Sequence, residues 1–169
     1  MTQTVTPFDS LLTEIELAID GKLYFLALSM VLVLPDFCAS LAASDGRTSA
    51  KSYTEWCDKN LGKKFNFVTG TDLYSMRCGV LHNGRFGDMK HNVARVLFTL
   101  PGNVTFVNCK MNDAYVYSVV EFCREFMDAV RAWYAASSND VNVVENLPRM
   151  MTLHPHGMPP YIKGYPLIG

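Results

Sequence analysis

The run LYFLALSMVLVL, Leu23 to Leu34, is followed at once by Pro35 and Asp36. Twelve residues without a charge fall short of the roughly 20 needed to cross a bilayer, and a proline and a carboxylate then end the run. A helix from about Lys22 to Ala43 built on it is apolar on nearly all sides, which places it in the middle of a bundle. Pro35 should kink it or divide it in two. The rest of the chain must supply its cover.

Helical spacing supplies that cover. Thr6-Pro7 offers a cap and an N1 proline, and Phe8, Leu11, Leu12, Ile15, Ala18 and Ile19 follow at helical intervals until Gly21. Ser44-Asp45-Gly46-Arg47 reads as a turn. Ser49 to Leu61 reads as a helix with Tyr53, Trp56 and Cys57 on one side and Lys51, Glu55, Asp58 and Lys59 on the other. Another helix begins near Thr71-Asp72, where an acid suits the positive end, and stops at Asn83-Gly84. Asn112-Asp113 is expected to cap the longest amphipathic helix, to about Ala136. VARVLFTLP and VTFVNCKM, joined through Gly102-Asn103, read as a β-hairpin near 93–110 inserted between the helices.

The expected fold is therefore mainly α, a bundle of about five helices with one β-hairpin, occupying residues 1–136. Beyond Ser137 the composition shifts, and residues 139–169 hold five of the eight prolines. That segment, 137–169, reads as an extended Pro-rich C-terminal arm. Its Met150, Met151, Tyr161, Ile162, Tyr165, Leu167 and Ile168 must pack on something, either their own domain or a partner subunit.

At 169 residues, 49% hydrophobic and 18% charged, the chain is long enough for one globular domain with a large interior. A net charge of -1 argues against a sequence-independent grip on nucleic acid, which depends on Lys and Arg neutralising phosphates. Residues 45–95 nonetheless carry nine Lys or Arg against five Asp or Glu, so a local basic face is compatible with the sequence. Five cysteines (Cys38, Cys57, Cys78, Cys109, Cys123) form no CxxC and sit mostly in apolar runs, as reduced core residues do. The N-terminus, MTQTVTPFDS, has neither a basic n-region nor an apolar h-region, so a cytoplasmic location is expected, with no membrane partner.

Arg77 and His82 stand on the helix that ends at Asn83-Gly84. Five residues correspond to about 500° of helix, so the two side chains leave the axis roughly 140° apart and do not share a face. Two copies of the helix facing across a two-fold axis could bring arginines and histidines from both subunits into one cleft. The same residue pair recurs at Arg85–His91 and Arg149–His154, and only helix context selects Arg77 and His82.

The stretch DLYSMRCGVLHNG, Asp72 to Gly84, resembles the motif helix of HEPN-domain proteins. These are dimerising helical bundles that carry Arg, four to six residues, then His, often with Gly just after. The motif covers about a dozen residues, and the helical layout extends the likeness to about 130. Cys78 departs from the polar residue common after the arginine, and the hairpin and tail lie outside the pattern. Active members are metal-independent ribonucleases. The resemblance thus implies that His82 moves the ribose 2'-hydroxyl proton and that Arg77 holds the phosphate, roles suited to imidazole and guanidinium chemistry.

His154 and His156 lack nearby ligand partners in sequence, and no phosphate-binding glycine loop, GxSxG or HExxH appears, so no metal or cofactor is expected. The functional expectation is a HEPN-like ribonuclease of bacterial defence or stress, acting as a homodimer on RNA. The alternative is a non-catalytic helical homodimer that binds a protein or peptide.

Overall fold

The computed structural model describes residues 6–89 and 92–169. His91, in the second of the three Arg and His pairs, and the first five residues of the N-terminal reading lie outside them. Among the described residues, six α-helices and a few short strands make the fold mainly α. Helices α1 (Pro7–Asp20), α2 (Tyr24–Ala42), α3 (Ala50–Leu61) and α4 (Gly70–Asn83) precede strands β1 (Arg95–Thr99), β2 (Cys109–Met111) and β3 (Ala114–Ser118). Helices α5 (Val119–Ser137) and α6 (Val141–Asn146) follow.

Helix α2 is the centre. It packs on α1, α3, α4, α5 and α6, and its Ala27, Val31, Leu32, Leu34 and Cys38 are fully buried. Pro35 lies inside a continuous helix and does not divide it, contrary to one sequence expectation. A helical proline withdraws an N–H from the preceding turn. In the same turn the Leu32 carbonyl, next to the Val31 carbonyl that Pro35 leaves without its helical donor, accepts a hydrogen bond from the buried Tyr53 hydroxyl at 2.8 Å.

The caps follow the sequence closely. Thr6, Ser49 and Thr69 each accept a hydrogen bond from the backbone three residues on, and Asp9, Ser52 and Asp72 return the bond in capping boxes. Helix α4 starts slightly earlier than expected because Thr69, not Thr71, is the cap. Gly84 ends it at φ 62°, in the left-handed region that glycine enters without steric cost.

The sheet differs from the expected hairpin. β1 and β2 do not pair with each other, since both border β3 in the order β1-β3-β2. β1 runs parallel to β3, from Arg95 opposite Ala114 to Thr99 opposite Ser118, and β2 runs antiparallel to β3. The physical reason lies in AYVYS: every residue of β3 is buried, so it takes the centre, while β1 and β2 keep exposed positions. Asn112, at φ 55°, makes the tight turn from β2 to β3. The residues expected to cap the long helix therefore close a hairpin, and α5 begins at Val119. Asn108 anchors the sheet to the α3–α4 connection, donating to the Lys64 carbonyl at 2.7 Å and accepting from the Asn66 amide at 3.0 Å and the Tyr115 hydroxyl at 2.6 Å.

The C-terminal segment is less extended than expected. α6 docks on the end of α2, where Asn146 Nδ2 donates to the carbonyls of Leu41 at 3.2 Å and Ala43 at 2.8 Å. A 3-10 turn, Leu147–Arg149, leads to two small antiparallel pairs. They are formed by β4 (Leu153–His154) with β7 (Leu167–Ile168), and by β5 (Gly157–Met158) with β6 (Ile162–Lys163). Met150 packs against the core, but Met151, Tyr161, Tyr165 and Ile168 are each more than two-thirds exposed. Within one chain, most of the arm's apolar surface has no cover.

Candidate functional site

Helix α4 carries both residues singled out by the sequence, and its own geometry separates them. Arg77 turns toward α2, where its Nε donates to Oδ2 of Asp36 at 2.8 Å; the arginine side chain is 21% exposed and the aspartate 8%. His82 stands in the last turn, on the exposed side of the helix end, with no hydrogen-bond partner among the described residues. A cation in that position is favoured by the carbonyl end of the helix dipole. The roughly 140° between their directions is preserved in a regular helix. One chain alone therefore presents an anchored guanidinium on one side of α4 and a free imidazole on another.

Asp36 is the site residue that sequence reasoning missed. It is a single carboxylate directly after a proline in an otherwise apolar run, which was its only signal. Buried carboxylates persist when paired and hydrogen-bonded. Because Nε takes the bond, the two terminal nitrogens of Arg77 are left out of it, and among the described residues they make one long contact, of Nη1 with Cys78 Sγ at 4.0 Å. The pairing fixes the plane of the fork without using up its end.

Tyr74, one turn earlier, and Cys78, the next residue, border the arginine. Tyr74 stacks edge-on against Tyr53, with ring centroids 5.3 Å apart. A hydrogen bond with Cys78, together with burial, raises its hydroxyl above the ordinary phenol range. Cys78 is thus a neighbour of the guanidinium, and its sulfur faces a phenol as well as a cation.

The chain after α4 folds back tightly on the helix. The Ser75 hydroxyl donates to the Asp88 carbonyl at 2.9 Å, and the Arg85 amide donates to the Gly79 carbonyl at 3.2 Å. A side chain at Gly79 would collide with the backbone of Arg85 and Gly87, and one at Gly87 with the Ser75 carbonyl. These two glycines let residues 85–88 lie against α4 along Ser75 to Gly79, the stretch that carries Arg77.

The remaining candidates separate from this site. Several cations of the 45–95 segment are paired: Lys64 with Glu125 at 2.9 Å and Lys51 with Glu55 at 3.8 Å, besides Arg77. His154 shares a hydrogen bond of 3.0 Å with the Thr152 hydroxyl in the arm, away from α4. No three His, Cys, Asp or Glu side chains among the described residues are grouped as metal ligands. All five cysteines are free thiols, three of them buried, and the aromatic side chains Phe65, Tyr115, Tyr117, Phe122 and Phe126 pack with one another in the interior. Compared with known protein families, curated proteins and solved structures, the chain matches none.

Proposed function

We propose that this chain is a HEPN-like, metal-independent ribonuclease that works as a homodimer, with Arg77 and His82 from two subunits forming each reactive cleft. The observation that carries the reading is the state of Arg77: its side chain is 21% exposed and anchored at Nε by Asp36, which leaves the end of the fork out of the carboxylate bond. An arginine used only to neutralise Asp36 would gain most from a bidentate grip on both carboxylate oxygens. In the proposed reaction His82 takes the 2'-hydroxyl proton, and the 2'-oxygen attacks the adjacent phosphorus. The 5'-oxygen departs with a proton taken from water, leaving a 2',3'-cyclic phosphate and a 5'-hydroxyl. The arginine fork stabilises charge gathering on the non-bridging oxygens.

A second reading, a non-catalytic dimer that binds a protein or peptide, is favoured by the exposed apolar arm and by the salt bridge itself, which joins α2 and α4 whatever else it does. The two part on one assay. RNA cleavage in excess EDTA that disappears in His82→Ala and leaves cyclic phosphate ends supports the nuclease. A folded dimer that cleaves none of a mixed RNA panel supports the binding module.

A further inference from the structure

Helix α2 is apolar all round, yet only 56% of its most apolar 18-residue window is buried. The uncovered part is ordered. Leu26, Met30, Val33 and Phe37 are among its partly or fully exposed apolar side chains, and their spacing of four, three and four residues is that of the contact seam in a pair of helices. Next to the seam, Phe25 projects into solvent with 90% of its surface exposed. Between α1 and α2 lies a mostly apolar groove of about 220 Å³ lined by Leu11, Glu14, Ile15, Ala18, Leu26 and Met30. It continues past Leu11 into a second groove of about 430 Å³ between α1 and the arm, lined by Met151, Leu153 and Ile168.

We infer that this face pairs with the same face of a second copy, the α2 seams packing together with Phe25 of each chain entering the α1–α2 groove of the other. A two-fold interface must be self-complementary, and a projecting ring beside an apolar groove on one surface meets that requirement. Charge allows it too. No charged residue lies between Tyr24 and Pro35, and Asp36 is turned inward to Arg77, so the α2 seams themselves meet without like-charge repulsion; Glu14, which lines both grooves, is the carboxylate each copy brings to the surface. The exposed Leu17, Leu23, Phe25 and Leu26, all at the α1–α2 end, offer on the order of 500 Å² of apolar surface. A stable interface needs about 800 Å² per partner, and the half-buried seam and the second groove extend the patch toward that size. A patch this large is more than single surface residues scattered on a monomer.

The inference rests on the ribonuclease reading only in naming the second copy that reading requires; the surface itself is argued independently. Its test is sedimentation of the full chain at micromolar concentration, alongside Phe25→Glu and Leu26→Glu, with far-UV circular dichroism to confirm folding. Phe25 makes so little contact within its own chain that Phe25→Glu should fold even if Leu26→Glu does not. The expected result is a dimer for the wild type and a dissociation constant raised by about 30-fold or more in each folded variant. A monomeric wild type, or a dimer indifferent to Phe25→Glu, overturns the inference. So does wild-type binding to phosphatidylcholine vesicles that Phe25→Glu abolishes, since lipid would then be the occupant. Loss of the dimer as expected, with no RNA cleavage by the wild type, keeps the surface and removes the ribonuclease. Full cleavage by monomeric Phe25→Glu keeps the surface and removes the two-subunit cleft.

Discussion

Arg77 and Asp36 are 41 residues apart in sequence and 2.8 Å apart in the fold, joined through Nε and Oδ2 at the point where α4 crosses the proline-containing turn of α2. The bond gives the arginine a fixed orientation and gives the central helix its neutralising cation. Removal of either partner therefore has consequences for stability as well as for any activity.

Arg77→Ala leaves the Asp36 carboxylate buried without its cation. The expected loss is about 3 kcal/mol, toward the lower end for a broken buried pair because the arginine keeps some solvent contact. In a chain of this length that lowers the melting temperature by roughly 6–12 °C. Asp36→Asn should cost less, because an amide still accepts a bond from Nε. Urea titration of both single variants and the double variant checks the coupling: their effects should fall well short of additive.

The glycine pair under the α4 loop makes a separate claim. Gly87→Ala brings a methyl group against the Ser75 carbonyl, which is backbone and cannot swing away. Displacement of residues 85–88 should cost on the order of 1–3 kcal/mol. Gly102→Ala, in open surroundings, serves as the control and should change the urea midpoint little.

Alkaline pH should destabilise the protein through buried acids. Burial pushes the Cys123 thiol up to about 12 and the Tyr117 hydroxyl up to about 12, and raises Cys38 and Cys57 as well. Each of these groups is neutral when protonated, so its folded form holds the proton that the unfolded chain releases. Stability is thus fully present below the unfolded thiol value near 9 and is lost as pH rises toward 12. Each buried thiol contributes a slope of up to about 1.4 kcal/mol per pH unit in that window. Urea midpoints measured from pH 8 to 10.5 should fall, and Cys123→Val should flatten the fall. In the native state a thiol reagent should modify the half-buried Cys78 and Cys109 well before Cys38, Cys57 and Cys123.

What the sequence made legible follows from range. The cap at Thr6, the helix start at Ser49, the Gly84 stop and the central place of α2 depend on residues within one or two turns, so composition and spacing revealed them. The run AYVYSVVEFC defeated the same reading because it is apolar at both strand and helix periods. Only the sheet partners β1 and β2 decide that its first five residues form a strand. The parallel pairing of β1 with β3 spans a whole loop and the intervening strand, which no local pattern encodes. At the site, helix periodicity correctly placed Arg77 and His82 on different sides of α4. Asp36 was hidden because which residue of α4 faces it depends on how two distant helices are registered.

The central claim is a cleft shared by two subunits, and complementation tests it most directly. RNA cleavage in excess EDTA would be followed for the wild type, for Arg77→Lys and His82→Ala separately, and for the mixed dimer formed by co-expressing these two variants. Arg77→Lys keeps a cation for Asp36 while removing the fork. The expected result is that the wild type cleaves and leaves 2',3'-cyclic phosphate ends, that each variant alone loses at least about 100-fold in rate, and that the mixed dimer regains a substantial fraction. A mixed dimer as inactive as its parents would contradict a cleft built from Arg77 of one subunit and His82 of the other.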